Sequence, residues 1–569
     1  MTDRTASDSP VSRSISRRRL LAGGTAAALT AGTTWPLAGC SGGGGGSPAS
    51  ESATPAARTA TATPNTPRAG GILRTLGPAF GSNPDPHKTR NASESLAWQW
   101  IGNFLYRFSR LEPYLVEPDL AVAMPEIPTD GTLLTVKLRP EAKWQARGLA
   151  NGRGLTAVDI KATFERIKAL GTKSPRAGNY VNLDRITVID PQTVQFKLKS
   201  PQADLMAIMA DQYDIILPVE VASRGDDAIR GVDDLMGTGP YEVGSFEASR
   251  KISLKRRSDG PWRADTAWLD GWDFLAVTDE GVKANALLNG QADVTDLPPV
   301  LARVFQGRDD FQVFRVPQPA RECLLINHTN ARWKDARLRL AVQRAVDRQQ
   351  VYAAVFEGEG VRGGPVSPAV KAWALNDAEL SALPGFGDRA TELKEAKALL
   401  SAAGVPNGFE DTILSVSSLK LDAVTQVIID NLAEIGIRLT VLPQGDDLNV
   451  LTERVRKGDF SLATILFLAG IYPDAQLYLY HHTSGAANYG KAGSKELDAK
   501  LDRQRGMYDA SQRLPLVKEI QQDIIKAPGP VWLGSRTQIT VASAKVRNMV
   551  ATPFMSGYDD AENDWLLGG

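Results

Sequence analysis

The sequence predicts a large protein of the α/β or α+β class, built around more than one hydrophobic core. Its 569 residues are 43% hydrophobic and 23% charged, which excludes a disordered or fibrous chain and a single small module. From Gly70 onward, short runs of alternating polarity are interspersed with amphipathic segments of helical period. This mixture indicates sheets covered by helices rather than a helical bundle or a β-sandwich.

Charge and cysteine content exclude two further classes of protein. Lys plus Arg total 65 and Asp plus Glu total 65, so the chain offers no overall positive charge and we expect no nucleic-acid partner. The two cysteines, Cys40 and Cys323, are too few and too far apart in sequence for a disulfide scaffold. We expect Cys323 to be a small buried residue.

The N-terminal segment carries two export patterns in the order expected of a secreted lipoprotein. Residues 16–21 read Ser-Arg-Arg-Arg-Leu-Leu, and a weakly apolar stretch follows to Ala31, as in a twin-arginine signal. Small residues then precede Cys40 in Leu37-Ala38-Gly39-Cys40, which resembles a bacterial lipoprotein signal. We therefore expect residues 1–39 to be a signal peptide and Cys40 to be lipidated.

A membrane-spanning helix is the alternative interpretation of the same segment. The window from Leu20 to Gly39 has about the 20 residues that a span requires. It also contains four threonines, four glycines and Pro36, which lower its apolar content. The lipoprotein signal is therefore favoured, and a diacylated cysteine would hold the protein stably at a membrane, whereas a single acyl chain would not.

Residues 40–69 are predicted to form a lipidated cysteine and a flexible tether. Gly42–Gly46 is a run of glycines, and Ser, Pro, Ala and Thr dominate the rest of the segment. Such a composition cannot bury apolar surface. We expect an ordered body from about Gly70, held on the outer face of the cytoplasmic membrane by its lipid anchor.

Strands and helices of the body follow from local patterns of polarity. Strands are predicted at Leu133–Leu138 and in a β-hairpin of Ile186–Ile189 with Thr193–Leu198. Helices are predicted from Thr156, from about Asp335 to Phe356, and from Glu392 to Ala403. The first should begin with a capping box formed by Thr156 and Asp159, and the last should end at Gly404.

Two motifs that resemble other kinds of site are better explained as structure. The stretch Gly358–Gly363 satisfies the glycine pattern of a dinucleotide-binding turn, but a helix precedes it where that fold requires a strand. Pro365 and Pro368 follow where a helix would have to open. The histidines make no zinc-binding pattern, because adjacent His481 and His482 would point in different directions. We therefore predict no metal and no cofactor.

Six short segments of the body are each a weak signal, but together they form a specific pattern. They are Asn83–Lys88, Leu138–Ile160, Gly237–Tyr241, Leu287–Asp293, Arg339–Arg348 and Glu395–Gly404. Together, and in this order, they resemble the extracytoplasmic solute-binding proteins of peptide-type ABC transporters, the oligopeptide- and dipeptide-binding family. The third segment reads Gly-Thr-Gly-Pro-Tyr, as in that family.

The resemblance implies an α/β, two-lobed fold of the periplasmic-binding-protein type, with hinge strands and a ligand cleft between the lobes. By the family's layout, lobe I comprises residues 70–317 and 539–569, and lobe II comprises residues 318–538. The implied function is a substrate-binding lipoprotein of an ABC importer that delivers a peptide or another small organic solute to a membrane permease complex. Such a receptor is expected to be a monomer and not an enzyme.

One segment departs from the family at the residue that would hold a peptide's amino terminus. Peptide-binding relatives carry Trp-x-x-Asp here, whose carboxylate binds the peptide ammonium, whereas this chain has Phe467-Leu468-Ala469-Gly470. A shift of one residue places Ile471 at the acid's position, and Asp474 is a possible substitute. Because a buried ammonium without a partner is costly, a site that lacks this acid should discriminate against free amino termini.

The resemblance also nominates residues of the ligand cleft. The matching segments imply Glu94, Ser95 and Trp98 from lobe I, and Phe467, Tyr472 and Asp474 from lobe II. Aromatic side chains suit such clefts because they supply contact area with few rotamers. The alternative is that Trp98 and Phe467 are ordinary core residues.

Other functions and ligands stay open. The ligand is an oligopeptide or a non-peptide solute such as an oligosaccharide. A secreted lipoprotein hydrolase that uses two cleft carboxylates would turn over a glycoside or an ester. A peptide-sensing or chaperone protein on the same fold would bind its ligand without uptake.

Overall fold

The computed structural model describes residues 66–89, 92–112, 114–442, 445–467, 470–553 and 562–567. These residues belong to one compact unit, Thr66–Gly569. The predicted signal peptide, Cys40 and most of the predicted tether lie outside the described residues. Within the described part of the chain, no helix is both long enough and apolar enough to cross a membrane.

The described strands form one large mixed sheet and three small antiparallel sheets. In chain order they are β1 (Ile72–Gly77), β2 (Tyr106–Phe108), β3 (Val116–Pro118), β4 (Leu133–Lys137), β5 (Leu183–Asp190), β6 (Thr193–Leu198), β7 (Tyr241–Glu247), β8 (Lys251–Arg256), β9 (Gly271–Ala276), β10 (Val294–Asp296), β11 (Phe311–Pro317), β12 (Arg321–Ile326), β13 (Gly360–Val361), β14 (Phe409–Leu414), β15 (Ile437–Leu442), β16 (Leu462–Phe467), β17 (Val531–Ser543), β18 (Val546–Arg547) and β19 (Trp565–Leu566).

Helices cover these sheets and connect their strands. In chain order they are α1 (Ala92–Ile101), α2 (Ala157–Leu170), α3 (Leu205–Met209), α4 (Val219–Ala222), α5 (Glu280–Leu288), α6 (Pro299–Ala302), α7 (Ala336–Ala345), α8 (Arg348–Ala354), α9 (Asp377–Ser381), α10 (Arg389–Ala402), α11 (Leu421–Ala433), α12 (Leu448–Lys457), α13 (Pro473–Gln476), α14 (Tyr478–His481), α15 (Lys495–Arg505) and α16 (Ala510–Lys526).

The long strand β17 joins two halves of the large sheet. The strand order is β15-β14-β16-β12-β17-β10-β1-β9-β8-β7, with β11 and β13 also paired to β17. The start of β17 pairs with β12, and its end pairs with β10 and β11, all antiparallel. We call β12, β14, β15 and β16 the second half-sheet, and β1 with β7–β11 the first half-sheet. A single strand therefore carries the chain across both halves.

Each half of the molecule has its own apolar core, as expected for a chain of this length. Helix α1 packs on the first half-sheet, where the ring of Trp100 stacks on that of Trp272 at 5.1 Å. Helices α7, α10 and α11 pack on the second half-sheet around residues such as Ile428. A further core lies between α2 and the small sheet β4-β6-β5. The predicted α/β organisation is confirmed.

Local sequence signals located several elements correctly. The predicted strand at Leu133–Leu138 is β4, and the predicted hairpin is β5 with β6. Helix α2 follows Thr156, whose backbone N–H donates to the Asp159 carboxylate at 2.9 Å, which is half of a capping box. The third predicted helix is α10, and it begins three residues earlier than expected because Asp388 caps it.

The single helix predicted from Asp335 to Phe356 is wrong, because the structure has two helices there, α7 and α8. The break falls at Val346 and Asp347, whose backbone is extended. The Asp347 carboxylate accepts hydrogen bonds from the backbone N–H groups of Gln349 and Gln350, so it caps a new helix. Its own N–H donates to the Asn431 side chain at 2.7 Å, which fixes the bend against α11.

Gly534 generates a prediction about the crossing strand. It has φ +113°, and a Cβ added there would lie 2.5 Å from the Tyr352 hydroxyl oxygen. We expect Gly534→Ala to lower the free energy of unfolding by about 3 kcal/mol, through strain and overpacking together. Gly404 is the control, since it also has positive φ but nothing lies near its added Cβ. Gly404→Ala should cost about 1 kcal/mol, and equal losses in urea unfolding would contradict the steric explanation.

Candidate functional site

The predicted ligand-contacting side chains of the first lobe lie on helix α1. Glu94, Ser95 and Trp98 are all buried. The Glu94 carboxylate accepts a hydrogen bond from the hydroxyl of Thr89, and burial raises the pKa of Glu94. Trp98 belongs to the apolar core between α1 and the first half-sheet. In this arrangement Trp98 has the environment of a core residue.

Phe467 lies in an aromatic group at the end of strand β16. Its ring centroid is 4.3 Å from that of Tyr480, 5.9 Å from that of Trp532 and 6.0 Å from that of Tyr489. In the sheet, Phe467 is the register partner of Arg321, the first residue of β12. The aromatic group therefore lies at the edge of the second half-sheet from which the chain continues into residues 470–476.

Asp474 already has partners within the protein. Its carboxylate accepts hydrogen bonds from the Gln504 amide and from Nε of Arg505, the latter at 2.7 Å. Its backbone N–H donates to the Asp204 carboxylate at 2.8 Å. Burial, followed by the charge of Asp204, raises the pKa of Asp474 to about 6. This carboxylate is therefore committed to neighbouring side chains rather than presented to a ligand ammonium.

Asp204 connects the two predicted lobes. It belongs to residues 70–317, yet its carboxylate forms a buried ion pair with Arg513 on α16, with Nη2 at 3.0 Å from Oδ2. Nearby, the Tyr508 hydroxyl donates to the carbonyl oxygen of Gly131 at 2.8 Å. The N–H of Ala203 donates to the carbonyl oxygen of Arg505 at 2.7 Å. The predicted lobes therefore contact each other through charged and polar groups.

A cavity of about 260 Å³ adjoins this contact. Both predicted lobes line it, and its wall is largely apolar and aromatic, as in many small-molecule sites. Its lining includes Tyr114, Met206, Trp373, Tyr472 and Tyr508.

The loop from Asp211 to Asp214 lies between the two groups of predicted residues. Burial raises the pKa of Tyr213, and the charges of Asp211 and Glu94 act in the same direction. Burial also raises the pKa of Tyr472, while Arg176 lowers it and Asp211 raises it. The carboxylate of Asp214 is held by Arg176 at 2.7 Å. The loop thus brings charged groups from the first lobe to both α1 and Tyr472.

Sequence reasoning missed Arg321, which lies beside Phe467. Its side chain is completely buried, and its guanidinium lies over the ring of Trp532, 4.0 Å from the ring centroid. The available signal was an arginine two residues before the strongly apolar stretch Cys323–Ile326, which a strand would bury. The predicted burial of Cys323 is confirmed.

The structure shows the environments of the glycine-rich stretch and of His481. Gly360–Val361 is strand β13, which pairs with β17, so the glycine pattern opens no helix. Burial lowers the pKa of His481 to about 3, so this imidazole is neutral at pH 7. Among the described residues, no group of three or more His, Cys, Asp or Glu side chains is arranged to hold a metal ion.

Comparisons with known proteins agree with this architecture. Residues 116–490 match the family described as bacterial extracellular solute-binding proteins, family 5, middle. The glutathione-binding protein GsiB of Salmonella paratyphi A is 24% identical over 510 residues, covering 85% of this chain and 93% of that protein.

Solved structures share the fold. HbpA2 from Haemophilus parasuis gives a TM-score of 0.74 at 21% identity, covering 87% of this chain and 100% of that one. The periplasmic binding protein DppA from Helicobacter pylori, solved with the peptide STSA, gives 0.69 at 22% identity, covering 88% of this chain and 98% of that one. The predicted two-lobed α/β fold is confirmed.

The ion pair of Asp204 with Arg513 generates a prediction about lobe contact. Asp204→Asn would leave a buried guanidinium with a weaker partner, so we expect the free energy of unfolding to fall by about 3 kcal/mol. We also expect a larger radius of gyration in X-ray scattering if this contact holds the lobes together. The control is Asp226→Asn, which breaks the exposed pairs with Lys88 and Lys173 and should change neither quantity measurably. An unchanged radius in Asp204→Asn would contradict the assigned role.

Proposed function

Because the chain belongs to family 5 of the bacterial extracellular solute-binding proteins, we propose that it is the substrate-binding lipoprotein of an ABC importer. It captures a peptide or another small organic solute at the outer face of the cytoplasmic membrane and delivers it to the permease complex. The observation that carries this proposal is the family match over residues 116–490, which includes strands of both half-sheets. The receptor works as a monomer and catalyses no reaction on its ligand.

The mechanism follows from the two-lobed fold. Ligand that contacts both lobes binds the closed form more tightly than the open form, and this difference in affinity drives closure. Strand β17 and the segments beside it bend, while Asp204, Arg513 and Asp474 provide contacts that form only when the lobes meet. The closed form then docks on the permease. We place lobe I at residues 70–317 and 539–569, and lobe II at residues 318–538.

The membrane attachment rests on the N-terminal sequence. Residues 1–39 direct export by the twin-arginine route, and lipidated Cys40 holds the tether and the folded body at the membrane. Replacing Cys40 by Ser should release the protein in soluble form while leaving solute binding intact.

The ligand class differs from that of relatives with an ammonium-binding acid. Gly470 stands at that acid's position, and Asp474 already has Gln504 and Arg505 as partners. One relative is a glutathione-binding protein and another was solved in complex with a peptide, which supports a peptide-sized ligand. We infer that a free amino terminus contributes little to binding here.

A thermal-unfolding panel tests the proposed function. The full chain is mixed with tri-alanine, N-acetyl-tri-alanine, reduced glutathione or maltotriose. At 100 times its dissociation constant, a bound ligand should stabilise the folded state by about 2.7 kcal/mol. We expect N-acetyl-tri-alanine to raise the unfolding midpoint at least as much as tri-alanine does, because Gly470 provides no carboxylate to bind the ammonium group of tri-alanine.

The variant Asp474→Asn separates the possible outcomes. If Asp474 replaces the missing anchor, tri-alanine will bind the wild type preferentially and lose that preference in the variant, which would contradict our inference about ligand class. Turnover of any solute by the protein, or no shift with any of the four, would contradict the receptor function itself.

A further inference from the structure

Arg321 occupies an unusual position for a cationic residue. It opens strand β12, in which all six residues are buried. Its neighbour Glu322 points to the opposite face of the strand and pairs with Arg536, so it does not neutralise Arg321. Compensation for the charge of Arg321 must therefore come from the other face of the strand.

The guanidinium of Arg321 is only partly compensated by the protein. Nη1 donates to the carbonyl oxygen of Pro365, and the group lies 4.0 Å from the ring centroid of Trp532 and 5.9 Å from that of Tyr480. Nε and Nη2 have no hydrogen-bond partner within the described part of the chain. Stacking on aromatic faces offsets part of the cost of burial but satisfies neither of these two N–H donors.

Elsewhere in this protein the same edge of arginine binds a carboxylate. Nε and Nη2 of Arg74 both donate to Asp293, each at 2.9 Å. Those of Arg257 donate to Asp259 at 2.7 and 2.6 Å. This side-on pairing matches the two oxygens of a carboxylate, which is why arginine favours it. The edge that Arg321 leaves without a protein partner is thus the one suited to a planar anion.

A second buried polar side chain packs against the same tryptophan, Trp532. His481 is buried, its ring centroid is 5.7 Å from that of Trp532, and its Nε2 has no hydrogen-bond partner among the described residues. Burial lowers the pKa of Arg321 to about 10, so the guanidinium remains charged at neutral pH beside a neutral imidazole. The Nε and Nη2 atoms of Arg321 and Nε2 of His481, which have no hydrogen-bond partner among the described residues, therefore belong to side chains that pack against the same ring, Trp532.

The position of this pair agrees with the departure at Gly470. Arg321 is the register partner of Phe467, three residues before Gly470, so both features lie at the same edge of the second half-sheet. The acid that would bind a ligand cation is missing at Gly470, and Arg321 is a cation with no carboxylate partner in the described part of the chain. Both changes favour a negatively charged group on the ligand.

We propose that Arg321, assisted by His481, binds a carboxylate of the transported solute through its Nε and Nη2 edge. This inference rests on the proposed receptor function and specifies the ligand class as a carboxylic acid. The carboxylate is either the C-terminal group of a peptide or that of a small organic acid.

Calorimetry with matched acid and amide ligands tests the proposal on the full chain. The first pair is N-acetyl-tri-alanine and the same peptide with its C-terminal carboxylate replaced by an amide. The second pair is glutarate and glutaramide. We expect the acid of at least one pair to bind the wild type at least tenfold more tightly than its amide, and that pair identifies the source of the carboxylate. In Arg321→Met the ratio should fall to about one, and in Arg321→Lys it should be intermediate because charge without the planar fork remains.

Stability provides an independent readout. Arg321→Met removes a buried charge that has no carboxylate partner, so the unfolding midpoint of the ligand-free protein should be unchanged or raised. The matched control is Arg348→Met. Arg348 is also buried, but it donates to the carbonyl oxygens of Trp532 and Gly385 at 2.8 and 2.7 Å, so its loss should lower the midpoint by several degrees. The acid-to-amide ratio should not change in this control.

Each other outcome overturns the proposal. An acid preference that persists in Arg321→Met would assign the carboxylate to another residue. Equal binding of acid and amide by the wild type would show that no carboxylate is recognised. If maltotriose alone binds, the receptor function stands and the carboxylate site falls. If Arg321→Met does not fold, an acid preference in Arg321→Lys equal to that of the wild type would overturn the proposal.

Discussion

The antiparallel pairing of β17 with both half-sheets is the constraint on which the rest of the structure depends. One end of the strand completes the second half-sheet against β12, and the other end completes the first half-sheet against β10 and β11. Every relative movement of the halves must therefore bend this strand, since its backbone hydrogen bonds prevent it from sliding. Near Gly534, which has φ +113°, the register of β17 with β12 shifts.

Buried charge has different roles at three of the places where the described structure contains it. The pair of Asp204 with Arg513 is balanced and lies between the predicted lobes, where it can only form when they meet. The pair of Asp214 with Arg176 is balanced within the first lobe and orders the loop beside Tyr472. Arg321 has no carboxylate partner among the described residues. Removing one partner of a neutralised buried pair leaves an uncompensated charge and is costly, whereas a buried charge without a carboxylate partner is available to a ligand anion.

Local signals in the sequence located several elements of the fold, whereas the contacts around the candidate site residues join parts of the chain that are far apart in sequence. The capping residue of α2 and the turn between β5 and β6 lie within a few positions of the elements they define, so they could be located without a structure. The break between α7 and α8 had a local signal at Asp347 that the apolar periodicity masked. By contrast, Asp474 is engaged by Arg505 and Gln504 some thirty residues away, and Arg321 meets Trp532 across more than two hundred. The spacing of residues in a sequence does not predict contacts over such separations.

The order of strands along the chain also restricts when the protein can fold. Strand β10 pairs with β1 on one side and with β17 on the other, although β17 lies more than two hundred residues later. The first half-sheet stays open along one edge until the ribosome has released Ser543, so the N-terminal half cannot reach its final structure during translation. Folding of the first half-sheet can therefore be completed only after β17 has been synthesised.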